Sequence, residues 1–194
     1  VILKPKTLSS ADKQFIDKAI RHFAGVEGAI KDQIRVRTNS RIANKTICMI
    51  YGLPIIGVAD IDQLDVLSDR VQKVTVDLPE QYVRVELAKA PPRPNKRRRG
   101  RRNEDHTEWC LDNVAEDDRK HVKRILDAVE DFNELECQLD VTIRHEDGAY
   151  QLHITPCEPI RLESLKRLQR DHRSLLQDID IDLPAKKLVV RVNV

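Results

Sequence analysis

The chain has 194 residues, 40% of them apolar and 4% aromatic, with six glycines and a formal net charge of +2. Its length suits one large or two small domains, and its core must be built from Val, Ile and Leu. No apolar run approaches the roughly 18 residues of a membrane span, and no Gly-rich phosphate loop, GxSxG, HExxH or CxxC spacing is present, so neither an enzyme nor a bound cofactor is expected.

VILKPKTLSS has none of the regions of a secretory signal, and the lack of an initiating Met points to a processed or trimmed chain. VILK (1–4) reads as a short opening strand. Ser9 or Ser10 then caps a helix whose apolar stripe is Phe15, Ile16, Ala19, Ile20 and Phe23. QIRVR (33–37) alternates as a strand, KTICMIY (45–51) is a continuous apolar run, and Gly52 and Pro54 close it. Ile61, Leu64, Leu67 and Val71 recur at helical spacing, and KVTVDLPEQYVRVEL (73–87) reads as a pair of strands.

PPRPNKRRRGRR (91–102) interrupts this pattern with Arg93, Lys96, Arg97, Arg98, Arg99, Arg101 and Arg102, seven positive charges and no negative one. Subtracting seven from the net +2 leaves −5 for the rest of the chain. A mildly acidic body with a concentrated basic segment points to a polyanion or a transport receptor as partner.

Beyond it the order of elements repeats. TEWCL (107–111) takes the place of VILK, Asn113 and Glu116 have the spacing of a capping box, and Val122, Ile125, Leu126, Val129 and Phe132 stripe a helix. CQLDVTIRH (137–145) alternates, Asp147-Gly148 forms a hairpin turn, and AYQLHIT (149–155) alternates again. Leu162, Leu165, Leu168, Leu175, Leu176 and Ile179 stripe a long second helix, and DIDLPAKKLVVRVNV (180–194) ends the chain.

VDLPEQYVRVEL (76–87) lies over IDLPAKKLVVRV (181–192) at an offset of 105. The same offset pairs Ile34 and Val36 with Leu139 and Val141, and Ile47 and Met49 with Leu152 and Ile154. Sustained register over several elements indicates an internal repeat. The fold class read from this is α+β, a tandem duplication of a βαββαβ or αββαβ unit with antiparallel sheets each covered by two helices. The element order resembles the ferredoxin-like arrangement. The boundaries follow: a first repeat at 1–90, a basic Pro/Arg-rich linker at 91–106 and a second repeat at 107–194. Residues 34–67, with IRVRTNSR, KTICMIYGL and an amphipathic helix, are also similar to the core hairpin of the SUI1-type translation-initiation fold, over about a sixth of the chain.

If helices cover one sheet face, alternation names the side chains on the other. In the first repeat these are Gln33, Arg35, Arg37, Tyr82, Arg84 and Glu86, with Thr46, Cys48 and Ile50 placed outward and Ile47, Met49 and Tyr51 inward. Arg35, Arg37, Tyr82 and Arg84 make a nucleic-acid platform, guanidinium on phosphate and ring on base; the same face also reads as a solvated or sheet-pairing surface. The second repeat presents Gln138, Asp140, Thr142, Arg144, Gln151, His153, Thr155, Lys187, Val189 and Arg191, polar and mixed in sign.

Other chemistry is sparse. His153, Cys157, His145, His106 and Cys110 have loosely metal-like spacing, but buried thiols and surface histidines account for them, so no metal is expected. The acidic runs at 60–65, 116–118 and 178–182 offer carboxylates, yet Asp178, Asp180 and Asp182 alternate with Ile179 and Ile181 as on any strand. Four scattered cysteines (Cys48, Cys110, Cys137 and Cys157) fit free thiols in a reducing compartment.

The resulting expectation is a non-catalytic, nuclear, nucleic-acid-associated protein. Its basic segment makes sequence-independent phosphate contacts, serves nuclear import, or both. The competing reading is a structural or assembly protein, a chromatin or virion scaffold or a cytoplasmic one, using sheets and helices to meet a protein partner or its own copies. No membrane is expected.

Overall fold

A computed structural model of the chain describes residues 8–39, 45–89, 109–131, 139–146, 148–156 and 159–193. Ser9 opens the first helix, its hydroxyl accepting from the Asp12 amide at 3.0 Å. Helix α1 (Ser10–Ala24) buries Phe15, Ile16, Ala19 and Phe23 along the predicted stripe. A 3₁₀ turn (Lys31–Gln33) leads to β1 (Arg35–Asn39) and β2 (Lys45–Tyr51). Gly52 ends β2 at φ 73°, and a Cβ there would sit 2.1 Å from the Gln33 carbonyl oxygen, so no side chain fits this corner. Then come β3 (Ile55–Gly57), α2 (Val58–Leu67), β4 (Val71–Asp77) and β5 (Tyr82–Ala88).

The second half follows the same order: α3 (Arg119–Glu130), β6 (Asp140–Glu146), β7 (Ala149–Thr155), β8 (Ile160–Arg161), α4 (Leu162–Asp171), β9 (Leu176–Asp182) and β10 (Lys187–Asn193). The described molecule is thus α+β, with four α-helices and two antiparallel sheets of five strands, ordered β1-β2-β5-β4-β8 and β3-β9-β10-β7-β6.

The two sheets exchange a strand. β3 leaves its own half to pair with β9, Ile56 opposite Ile181, and β8 pairs with β4, Ile160 opposite Val76. Ile56 and Ile160 are both buried, each adding roughly 1.5–3 kcal/mol of apolar burial to the other half's sheet. Helices α2 and α4 touch each other, and each touches both β4 and β9. The buried side chains of both halves consequently form one continuous core.

Several elements differ from the sequence expectations. Trp109–Leu111 form no strand, and the VILK segment lies outside the described residues. Asn113 sits in a turn; α3 starts at Arg119, and Asp118, its cap residue, accepts from the Tyr150 hydroxyl at 3.2 Å instead of closing a capping box. Val71 begins β4 and does not continue α2. The long second helix stops at Asp171, and Leu176 and Ile179 belong to β9.

Both of the last two differences fall where a bulged strand begins, and for Leu176 and Ile179 the bulge is the cause. Pairing of β4 with β5 steps from Val71↔Leu87 to Lys73↔Glu86, leaving Gln72 as an extra residue. Pairing of β9 with β10 steps from Leu176↔Val192 to Asp178↔Arg191, leaving Gln177 likewise. A bulge turns residues three apart, Val71 and Val74 or Leu176 and Ile179, toward one side, which imitates helical spacing. Both DLP turns also match: Asp77 accepts from the Glu80 amide and Asp182 from the Ala185 amide, with Gln81 and Lys186 at φ 58° and 59°.

Candidate nucleic-acid interface

The outer face of the first sheet can be read strand by strand from its register. Residues directly opposite in an antiparallel pair share a face. Arg37 lies opposite Met49, Met49 opposite Arg84, Arg84 opposite Thr75, and Thr75 opposite Arg161. One row therefore crosses all five strands and carries three arginines. The neighbouring row runs Arg35, Tyr51, Tyr82 and Asp77.

The predicted Arg35, Arg37, Tyr82 and Arg84 thus do share this face. The middle strand between them is inverted relative to expectation. Thr46, Cys48 and Ile50 point to the helices and are fully buried, Thr46 donating to the Asp12 carboxylate of α1 at 3.0 Å. Ile47, Met49 and Tyr51 face outward. The reason is a single residue. In β1 and β6 the halves correspond at an offset of 105, but Ile50 opposes Val36 while Ile154 opposes Val141, so β2 and β7 correspond at 104. One residue fewer in the second hairpin flips every side chain of a strand aligned at constant offset.

The inversion brings two tyrosines together. Tyr51 and Tyr82 are direct neighbours, ring centroids 5.0 Å apart and planes at 55°, and the Arg37 guanidinium carbon lies 5.2 Å from the Tyr51 centroid. Burial, a hydrogen bond to Asp77 and its negative charge push the Tyr82 hydroxyl up to about 12. Glu86 receives bonds from Lys45 at 2.7 Å and from Arg84 at 2.9 Å. Burial opposes its ionisation, but the Lys45 bond, with the charges of Lys45, Arg84 and Lys73, holds the carboxyl below its ordinary value. Glu86 thereby keeps Arg84 along the face.

Sequence reading missed Tyr51, Met49 and Arg161. An alignment allowing one gap in the hairpin would have recovered Tyr51. Arg161 carries no such signal, because it reaches this face only through the exchanged strand β8.

The second sheet offers different groups in the corresponding places. Its row reads Thr142, His153, Val189, Asp180 and Gly57, flanked on one side by Asp140, Thr155, Lys187 and Asp182, the counterparts of the tyrosine row, and on the other by Arg144, Gln151, Arg191 and Asp178. Burial and the charges of Arg144 and Lys187 lower the affinity of His153 for a proton. Asp180 lies 3.5 Å from Arg191, and Asp178 accepts from the Ile179 amide at 2.8 Å. Gln138, like Arg93, Lys96, Arg97, Arg98, Arg99, Arg101 and Arg102, lies outside the described residues.

Several of the remaining candidate groups have structural partners. Asp60 accepts from the Gly57 amide at the start of α2, and Asp62 and Asp65 hold Lys166. Cys48 is a buried free thiol pushed up to about 12 by burial and the Asp12 charge, whereas Cys110 is exposed and donates to Asp112. His106, Phe132, Cys137 and Cys157 lie outside the described residues; among the described ones no three His, Cys, Asp or Glu side chains converge as metal ligands. Nor is any described helix long and apolar enough to cross a membrane. Comparison with protein-family models, with curated proteins and with solved structures finds no match.

Proposed function

We propose that the protein is a non-catalytic, nucleic-acid-associated protein built by tandem duplication of a ferredoxin-like unit. The 91–102 segment and the outer face of the first sheet would contact phosphate without sequence preference. The observation that carries this reading is the divergence of the two outer faces. Both sheets have the same strand order and the same bulges, yet Arg37, Arg84 and Arg161 on one correspond to Thr142, Val189 and Gly57 on the other. The fold itself therefore does not require the arginine row. Seven cations of one sign in 91–102 extend the same chemistry and also suit an import receptor, which supports the reading of a nuclear protein.

The test is fluorescence anisotropy with short duplex and single-stranded oligonucleotides at low and moderate salt. The intact chain is compared with a variant carrying Ser at 97, 98, 99, 101 and 102. Affinity of about micromolar that falls steeply with salt and with the substitutions is expected. Binding unchanged by the substitutions would remove the segment from the function.

A second reading rests on β6. Among the described residues this seven-residue strand pairs only with β7, and its other edge would take a strand from a protein partner or another copy. An assembly made that way would persist in high salt, unlike phosphate binding.

A further inference from the structure

Tyr51 and Tyr82 stand in one row of the first sheet, between Arg35 and Asp77, and Arg37, Arg84 and Arg161 stand in the next, two residues along each strand. Two residues along a strand span about 6.6 Å, and neighbouring strands lie about 4.8 Å apart. A line of cations thus runs beside a pair of rings at nucleotide scale. Both rings are half exposed, and the cation already resting on Tyr51 belongs to Arg37, an exposed residue.

The bases of a duplex are stacked inside and turn only their edges outward. A sheet face with rings at its centre reaches a base plane only where the base is unpaired. The Arg37–Arg84–Arg161 row would then follow the backbone. Glu86, the carboxylate bonded to Arg84, is compensated by Lys45 and Arg84. The second sheet has no Tyr, Phe or Trp in either row, with Thr155 and Lys187 where the first has Tyr51 and Tyr82.

From this placement we infer that the outer face of the first sheet is a binding site for single-stranded nucleic acid. Unpaired bases stack on Tyr51 and Tyr82, and the backbone lies along Arg37, Arg84 and the Arg161 delivered by the other half. This rests on the nucleic-acid reading above and names its substrate class. The 91–102 segment, lacking aromatic residues, would serve duplex and single strand alike.

The experiment measures anisotropy of the full chain with a mixed-sequence single strand, as DNA and as RNA, and with the matching duplex. The protein is compared with Tyr51→Leu/Tyr82→Leu and with Arg161→Gln, circular dichroism reporting whether each variant is folded. The single strand is expected to bind at least about tenfold more tightly than the duplex. The double tyrosine variant should lose about 5- to 150-fold on the single strand, the range of one stacking contact, while duplex affinity stays unchanged. Arg161→Gln should weaken single-strand binding and reduce its salt dependence.

Photocrosslinking of the unaltered protein to a single strand containing 5-iodouracil provides a test independent of variant folding. The crosslinked peptide should contain Tyr51 or Tyr82. Equal binding of single strand and duplex, or crosslinks confined to 91–102, would overturn this inference while leaving nucleic-acid association intact. Absence of binding to every oligonucleotide would overturn both.

Discussion

Asp62 and Lys166 occupy the same place in the two halves and are ion-paired to each other. Asp62 is on α2 and Lys166 on α4, at an offset of 104, and Lys166 also donates to Asp65 at 3.1 Å. Identical residues at such a contact would repel, so opposite charges favour pairing of one half with the other rather than with itself. Lys166→Glu should lower stability by about 1 kcal/mol or less, as expected of a partly exposed pair, and adding Asp62→Lys should restore part of it. Urea denaturation of the single and double variants measures both effects.

The exchanged strands predict that neither half is complete alone. Without β8 the first sheet ends at β4, and without β3 the second ends at β9, each exposing backbone donors and acceptors and part of the shared core. Segments 1–90 and 107–194, produced as separate chains in one cell, should copurify as a complex of one each. Produced singly, each should aggregate or show little secondary structure; two soluble, monomeric, folded halves would contradict the shared core.

Arg70 holds a buried carboxylate. Its Nη2 lies 2.8 Å from Asp12 Oδ1, its Nε donates to the Ala88 carbonyl at 2.8 Å, and the Asp12 side chain is only 4% exposed. Arg70→Met should cost about 3 kcal/mol by leaving Asp12 buried without its cation. Asp12→Asn in the same chain keeps an acceptor for Thr46 and should recover much of the loss. Thermal melts of the four combinations would reveal the coupling.

Glu86 makes the first sheet sensitive to acid. Its carboxyl is held below the ordinary 4.5, so its contribution to stability is present above that value and is lost as pH falls through the lower folded value. Glu86→Gln should flatten the dependence of stability on pH below about 4.5. Denaturation midpoints across the acid range check the slope, which should be steeper in the unaltered protein.

Much of this architecture was legible in the chain because short-range patterns specify it. The α1 stripe, the bounds of β2 and β7, and both DLP turns follow from periodicity and from Asp and Pro at turn positions. The places where periodicity misled have local physical causes. Gln177 adds one residue to β9, and that gives Leu176 and Ile179 an apparent helical spacing, while Val71 follows α2 at a helical interval although the helix stops at Leu67.

The candidate face divides in the same way. Arg35, Arg37, Tyr82 and Arg84 could be assigned to one side because β1 and β5 alternate between charged or aromatic and aliphatic residues. KTICMIY is apolar throughout, so its own pattern cannot say which face Tyr51 takes; pairing Arg35 with Tyr51 and Arg37 with Met49 decides it. The sequence by itself determined most of the elements, their repeated order and the basic character of the first sheet, since these reside in neighbouring residues. Only the tertiary structure decided that β3 and β8 change sheets and that Arg161 joins Arg37 and Arg84, because residues 75 and 161 are brought together by the common core and by no pattern along the chain.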